Sequence, residues 1–171
     1  MNCDGWKSYP KKVKRIQRCW AHLLREAKYL AEQEEGQARL LYQELCELFA
    51  KLKQLRIAIL TKQKRENHHD LLIAKMLRLV DRSKAYTALR KFAVKIENGL
   101  ENWFTCVLYP EIEPTNNRAE RALREVVVQR KITGTLRNER GTHMMEVLMT
   151  CLQTWKLQGL NPLAMLKLVM S

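Results

Sequence analysis

The sequence predicts a mainly α-helical protein, and two observations lead to this class. Apolar residues recur at spacings of three and four over most of the 171 residues, which is the period of a helix with one buried face. Segments in which apolar and polar residues alternate are short, so the predicted strands are too few for an independent sheet.

The N-terminal residues 1–19 are short and mixed in character. Asp4-Gly5 is a turn signal and Tyr9-Pro10 marks a break. Between Arg15 and Trp20 the alternation around Ile16 predicts a short strand. Helix follows directly from Trp20, where apolar residues reappear every three or four positions.

A leucine seam predicts that this helical region continues as one long helix, weakly interrupted at Gly36. Its members are spaced by four and three residues, the repeat of a heptad seam: Leu41, Leu45, Leu48, Leu52, Leu55 and Ile59. Other apolar helices lie close in the same chain, so packing within the chain is favoured over a dimeric coiled coil.

Two shorter helices are predicted next, one beginning near His69 and one following Ser83. Together with the long helix they predict an antiparallel hairpin or bundle over residues 20–104. Residues 105–171 form the third predicted segment: a loop over 105–115, a helix over about 116–130, an irregular turn over 132–136, and a helix over about 141–158.

The last of these helices has clear end signals. Gly159 is placed just after it, at the position where a left-handed residue ends a helix. Asn161 and Pro162 then supply the N-cap and first residue of a final helix that ends at Met170.

The charge of the chain points to a polyanionic partner. The formal net charge is +13, and the basic residues come in blocks separated by acidic ones. Such blocks suit a folded protein with basic faces, and nucleic acid is the partner they favour. The five cysteines are widely spaced and odd in number, which predicts reduced thiols in a cytoplasmic protein, and no apolar run is long enough to span a membrane.

Glu120 is the most informative acidic residue, and two interpretations of it stay open. With Asn117 as N-cap, Glu120 falls three residues later and forms a variant of the capping box. It is equally a carboxylate among arginines, where it would hold Mg²⁺ beside bound phosphates. Asp4 has the same two interpretations, a turn-forming residue or a second metal ligand.

The basic residues around Glu120 extend this pattern. They either form a solvated face or contact DNA phosphates: Arg118, Arg121, Arg124, Arg130, Lys131, Arg137 and Arg140. Cys19 and His22 have the spacing of half a zinc site, although packing of Cys19 and Trp20 at a helix start is the favoured interpretation.

Three blocks resemble the C-terminal part of the insertion-sequence-66 family of DDE transposases. The first is Cys3 to Tyr9, which is similar to that family's Asp-Gly-Tyr-x-x-Tyr block. The second is Cys19-Trp20-Ala21-His22, and the third is Asn116 to Arg124, similar to the family's Asn-Asn-x-x-Glu-Arg-x-Leu-Arg block. A closing segment from Lys156 to Pro162 also fits.

The resemblance implies an RNase H-like α/β core, of which this chain is the C-terminal portion, carrying a long helical insertion over residues 20–104. Residues 1–19 would then be a remaining strand region. Asp4 and Glu120 would be the second and third acids of the DDE triad. The reaction would be Mg²⁺-dependent DNA strand cleavage and joining, with water and then a 3′-hydroxyl as nucleophile.

The resemblance also has a gap. No acid precedes Asp4, so the first catalytic Asp of the family has no counterpart here. We therefore expect a truncated transposase that is inactive alone, or one completed by a second copy or by a complementing transposase chain. The alternative function is a non-catalytic basic helical protein that binds DNA or dimerises, and so regulates or competes with an intact transposase.

Overall fold

The computed structural model describes residues 2–3, 15–34, 36–134, 136 and 138–170. The chain divides into two compact units, Met1–Arg118 and Ala119–Ser171. Within the described residues there are eight α-helices and two strands, so the mainly helical class is confirmed. Their bounds are β1 Asn2–Cys3, β2 Gln17–Arg18, α1 Trp20–Gln33, α2 Gln37–Gln54, α3 Lys62–Lys84, α4 Thr87–Glu97, α5 Thr105–Leu108, α6 Asn117–Thr133, α7 Glu139–Leu157 and α8 Pro162–Met170.

The two strands form a small parallel sheet in the first unit. Asn2 pairs with Gln17 and Cys3 pairs with Arg18. The strand predicted between Arg15 and Trp20 is thus found at its centre, in β2. Two strands do not establish the RNase H-like core, which stays a prediction.

Gly36 divides the predicted long helix into α1 and α2, so that prediction is wrong. Its φ of 82° lies in the left-handed region, which glycine adopts without the steric cost that a Cβ brings. The chain reverses there, and α1 packs against α2. The rings of Trp20 and Phe49 stack with their centroids 5.4 Å apart, as an antiparallel hairpin requires.

The leucine seam lies inside the first unit. Leu41, Leu45, Leu48 and Leu52 are buried in the core shared by α1 to α5. The predicted packing within the chain is therefore confirmed, and the seam gives no support to dimerisation. Ile59, the last predicted member, lies beyond α2 in the 3-10 helix Ile57–Ile59 and is 74% exposed.

The next helix begins earlier than predicted. α3 starts at Lys62, and the side chain of Thr61 caps it by accepting a hydrogen bond from the backbone N–H of Lys64 at 3.4 Å. Its first turns are polar, so the apolar periodicity appears only from Leu72 onward. The predicted loop over 105–115 also contains one helical turn, α5.

In the second unit, local capping residues set the end of α7 and the start of α8. Gly159, with a φ of 72°, donates its backbone N–H to Lys156, and Leu160 donates to Trp155 at 2.8 Å, so α7 ends in a Schellman motif. The side chain of Asn161 accepts hydrogen bonds from Leu163 and Ala164, which confirms it as the N-cap of α8.

Across the described part of the chain, no helix is long and apolar enough to cross a membrane.

Candidate functional site

Gln17 anchors the small sheet to the helices of the first unit. It has no exposed surface, and its side-chain amide donates to the carbonyl oxygens of Trp103 at 2.9 Å and Arg18 at 2.8 Å. Its amide oxygen accepts the backbone N–H of Cys106 at 2.8 Å. These hydrogen bonds stabilise the fold. Removal of the Gln17 side chain would leave the buried backbone groups that it contacts without hydrogen-bond partners.

Trp20 and Cys19 begin α1 as packing residues, as predicted. Trp20 is fully buried against three aromatic rings, and its indole N–H donates to the carbonyl of Trp103 at 2.7 Å. Cys19 is 1% exposed. Its sulfur and a ring nitrogen of His22 lie within 4.8 Å of each other, one helical turn apart.

The start of α1 also holds the backbone that leads into α6. The N–H of Trp20 donates to the carbonyl of Pro114 at 3.1 Å. The N–H of Asn116 in turn donates to the sulfur of Cys19 at 3.2 Å. Two sequence blocks that lie far apart in the chain therefore meet in the first unit, directly before the first residue of α6.

Glu120 lies in the first turn of α6. The helix begins at Asn117, which puts Asn116 rather than Asn117 at the N-cap position. The capping-box interpretation has Asn117 there, one residue later, and it stays a prediction because a difference of one residue at a helix end does not decide the cap. A carboxylate in the first turn is favourable in either case, because it faces the positive end of the helix dipole.

The basic residues predicted around Glu120 are exposed. Arg118 forms an ion pair with Glu113 at 4.0 Å, with both side chains largely in solvent. The remaining described members of the set are also exposed: Arg121, Arg124, Arg130, Lys131 and Arg140. Arg137 lies outside the described residues. Exposure of these side chains is compatible with a solvated face and with phosphate contacts alike.

One acid on the same helix is engaged in a structural network. Glu125 accepts hydrogen bonds from Lys156 and, at 2.9 Å, from the side-chain amide of Gln153. The hydrogen bond from Lys156 is the main cause that holds the pKa of Glu125 below its usual value. Because its oxygens bond α6 to α7, Glu125 is the less suitable acid of α6 for binding an external ligand.

The donor set for Mg²⁺ is only partly described. Asp4, the second predicted ligand, lies outside the described residues, directly after β1 in the sequence. Glu120 offers the hard oxygen donor that Mg²⁺ prefers. A two-metal site requires more than one carboxylate. The described residues therefore offer the right kind of ligand for Mg²⁺ but too few of them.

A family model described as "Transposase IS66 family" matches residues 1–144. The chain belongs to the IS66 family of transposases. The match covers all three sequence blocks, including Cys19-Trp20-Ala21-His22 and the block that contains Glu120. No match was found among curated proteins or among solved structures.

In this IS66-family chain the burial of Gln17 was not predictable from the sequence. A glutamine between Ile16 and Arg18 carries no signal of burial, because its type is mostly exposed in proteins. Only the backbone of residues 103–106, nearly ninety positions away, explains its place. Thr105 was missed for the same reason, and its hydroxyl donates to the carbonyl of Ile16 at 2.6 Å.

Proposed function

We propose that this chain serves DNA transposition by contributing Glu120 as a catalytic carboxylate to a complete IS66-family transposase. The observation that carries the proposal is the contact between two sequence blocks of the family. Cys19 and Trp20 bond to Asn116 and Pro114, and so fix the backbone directly before the helix that carries Glu120. Such anchoring suits a side chain that must be held in position for chemistry.

In this proposal Asp4 and Glu120 are the acids that this chain supplies. Each is a carboxylate, the ligand type that holds Mg²⁺ in phosphoryl-transfer sites. When bound, the metal activates the attacking oxygen and stabilises the leaving oxygen of the phosphodiester. Two acids are fewer than such a site needs. We therefore propose that the complete site takes a further acid from outside residues 1–171, and that these residues alone do not cleave DNA.

The basic residues predicted around Glu120 have a separate task in the proposal. Arg118, Arg121 and Arg124 recur every three residues, so they follow one side of the helix that carries Glu120. They would neutralise phosphates beside the reacting strand, as would Arg130, Lys131, Arg137 and Arg140. Contacts of this kind position DNA and carry no sequence information.

The alternative is a non-catalytic role in which the chain binds DNA and competes with an intact transposase. The net charge of +13 favours this function as well. It predicts that Glu120 has no chemical task, so one experiment separates the two functions.

The experiment uses a complete family transposase in which the corresponding segment is replaced by residues 1–144 of this chain. Glu120→Gln keeps the size of the side chain and removes its charge. We expect strand cleavage to fall by at least about 100-fold, since even groups around a metal ligand cost 10–100-fold when removed. The matched control is Glu139→Gln, because Glu139 is also an acid in the first turn of a helix. If Glu120→Gln cleaves DNA at the rate of Glu139→Gln, or if the chimera itself is inactive, the catalytic proposal is wrong.

A further inference from the structure

The turn between α2 and α3 is the most strongly charged segment of the described structure. Residues 51–65 contain six cationic side chains and no acidic one. We call these six the basic turn: Lys51, Lys53, Arg56, Lys62, Lys64 and Arg65. None of them belongs to the set of basic residues around Glu120.

The cations of the basic turn are open to solvent. All except Arg65 are exposed. Lys62 lies 3.8 Å from Glu66, and that is the one ion pair the basic turn makes with a described residue. The Nε atom of Arg65 is buried and has no hydrogen-bond partner among the described residues. The basic turn therefore keeps nearly all of its positive charge.

The opposite end of the same helical hairpin differs. There Arg82 pairs with Glu44 across α2 and α3, and Lys84 pairs with Glu97 of α4. The hydrogen bond from Lys84 to Glu97 raises the pKa of Lys84 above its usual value. The first unit thus pairs Arg82 and Lys84 with acids at one end of the hairpin, whereas Lys62 alone among the basic turn has a described ion pair.

The basic turn lies at a particular place in the first unit. Lys62 and Arg65 line a cavity of about 330 Å³ together with Glu66, Tyr109 and Glu111. The guanidinium of Arg15 lies over the ring of Tyr109, 4.3 Å from its centroid. The chain runs from this cavity through Pro114 and Asn116 into α6. The basic turn therefore adjoins the segment that leads to the proposed catalytic helix.

We propose that the basic turn binds the sugar-phosphate backbone of duplex DNA. Unbalanced lysines gain affinity by releasing the counterions that surround DNA, and this gain needs no particular base sequence. Arginine adds a planar set of donors that matches a phosphate. The N-terminus of α3, which is the positive end of its helix dipole, lies within the basic turn and adds to the attraction for phosphates. The surface goes beyond the proposed function, because it assigns DNA to residues that the chemistry at Glu120 does not involve.

The test compares two quadruple variants of the full chain. The first carries Lys51→Gln, Lys53→Gln, Arg56→Gln and Lys64→Gln. The matched control carries Lys28→Gln, Arg39→Gln, Arg90→Gln and Lys91→Gln, whose side chains are also exposed in the first unit. Each variant removes four positive charges from the net charge of +13. Binding of a fluorescent duplex is measured by anisotropy, with a metal chelator present, from about 50 to 200 mM salt.

We expect the first variant to bind at least about tenfold more weakly. Its salt slope should be smaller by roughly three to four, because each removed cation leaves one phosphate without a partner. The control variant should stay close to the unmodified chain. Equal weakening in both variants would overturn the proposal, because net charge alone would then explain binding. Unchanged binding by the first variant would overturn it as well, as would selective binding of phosphatidylserine vesicles in place of DNA.

The result is independent of the proposed chemistry. Glu120 is not changed in either quadruple variant, and a metal chelator is present, so the comparison does not depend on the chemistry proposed at Glu120. If the basic-turn variant binds DNA normally, the catalytic proposal for Glu120 is unaffected. If Glu120→Gln cleaves DNA normally, the proposal that the basic turn binds DNA is unaffected.

Discussion

The two units of the chain hold their helices in different ways. In the first unit, α1 to α5 surround a shared core in which Trp20, Leu45 and Phe104 have no exposed surface. In the second unit, no described residue is buried, and large apolar side chains such as Leu157 and Met170 are more than four-fifths exposed. Its helices are instead defined by capping residues and by the network around Glu125.

The difference separates two sources of helix stability. Packing of an amphipathic face contributes most of the stability of helices in proteins, and the first unit has it. Caps contribute about 1 kcal/mol each and fix where a helix ends, which is what the second unit shows. Glu120 belongs to the second unit, yet it closely follows backbone that Cys19 and Trp20 hold in the first.

The largest expected effect is the loss of Trp20 from the core of the first unit. Trp20→Ala removes a fully buried indole with three aromatic neighbours and a hydrogen bond to Trp103. We expect the free energy of unfolding to fall by about 3–5 kcal/mol, as for other large-to-alanine changes in cores. Urea unfolding followed by circular dichroism measures it.

The control for Trp20→Ala comes from the second unit. Leu157 is 87% exposed at the end of α7, so Leu157→Ala should change the unfolding free energy by less than about 0.5 kcal/mol. A loss at Leu157 comparable to the loss at Trp20 would show that the second unit has a core after all, and the comparison would fail.

The core of the first unit was largely predictable and its turns were not. The spacing of Leu41 to Leu52 predicted a buried helical face, and that face is buried. The reversal at Gly36 could not be derived, because a single glycine in a helical pattern is tolerated and only its positive φ decides the outcome. The start of α3 was missed because Lys62 to Asp70 contain no apolar residue to mark a buried face.

A smaller effect is expected when a cap of the second unit is removed. Asn161→Ala deletes the side-chain oxygen that accepts from Leu163 at 2.9 Å and from Ala164 at 3.3 Å. The stability of α8 should fall by about 1 kcal/mol. Hydrogen exchange of peptides covering 162–170 reports it, and Asn161→Asp should retain protection because aspartate caps equally well. Equal protection in the alanine variant would mean that packing, not capping, holds α8.

The smallest effect concerns pH. Lys156 holds the pKa of Glu125 below its usual value, so the folded chain favours the charged carboxylate. The stabilisation is present above the pKa that Glu125 has when unfolded, and it disappears as pH falls through its lowered, folded value. The protection of α6 and α7 amides against hydrogen exchange, corrected for the pH dependence of the intrinsic exchange rate, should therefore decrease on acidification, and Glu125→Gln should abolish the part of this decrease that the network causes. An identical pH response in the variant would contradict the assignment.

The candidate site was predictable in part. The third sequence block predicted a helix that carries Glu120, and the structure puts Glu120 on α6 with the basic residues from Arg118 to Lys131, while Arg140 lies on α7. The role of Glu120 stays a prediction. The contact of Cys19 with Asn116 was not predictable, because it joins a sulfur and a backbone N–H that are 97 residues apart. Contacts of this kind depend on the packed fold and leave no periodic pattern in the sequence.

The central claim is that Glu120 acts in chemistry and not in helix stability. The most direct measurement is the strand-cleavage rate of the Glu120→Gln chimera, taken together with its unfolding free energy. We predict a rate at least about 100-fold below that of the Glu139→Gln control, with an unfolding free energy within about 0.5 kcal/mol of the unmodified chimera. Cleavage at the rate of the Glu139→Gln control would contradict the claim, because the carboxylate of Glu120 would then have no chemical task.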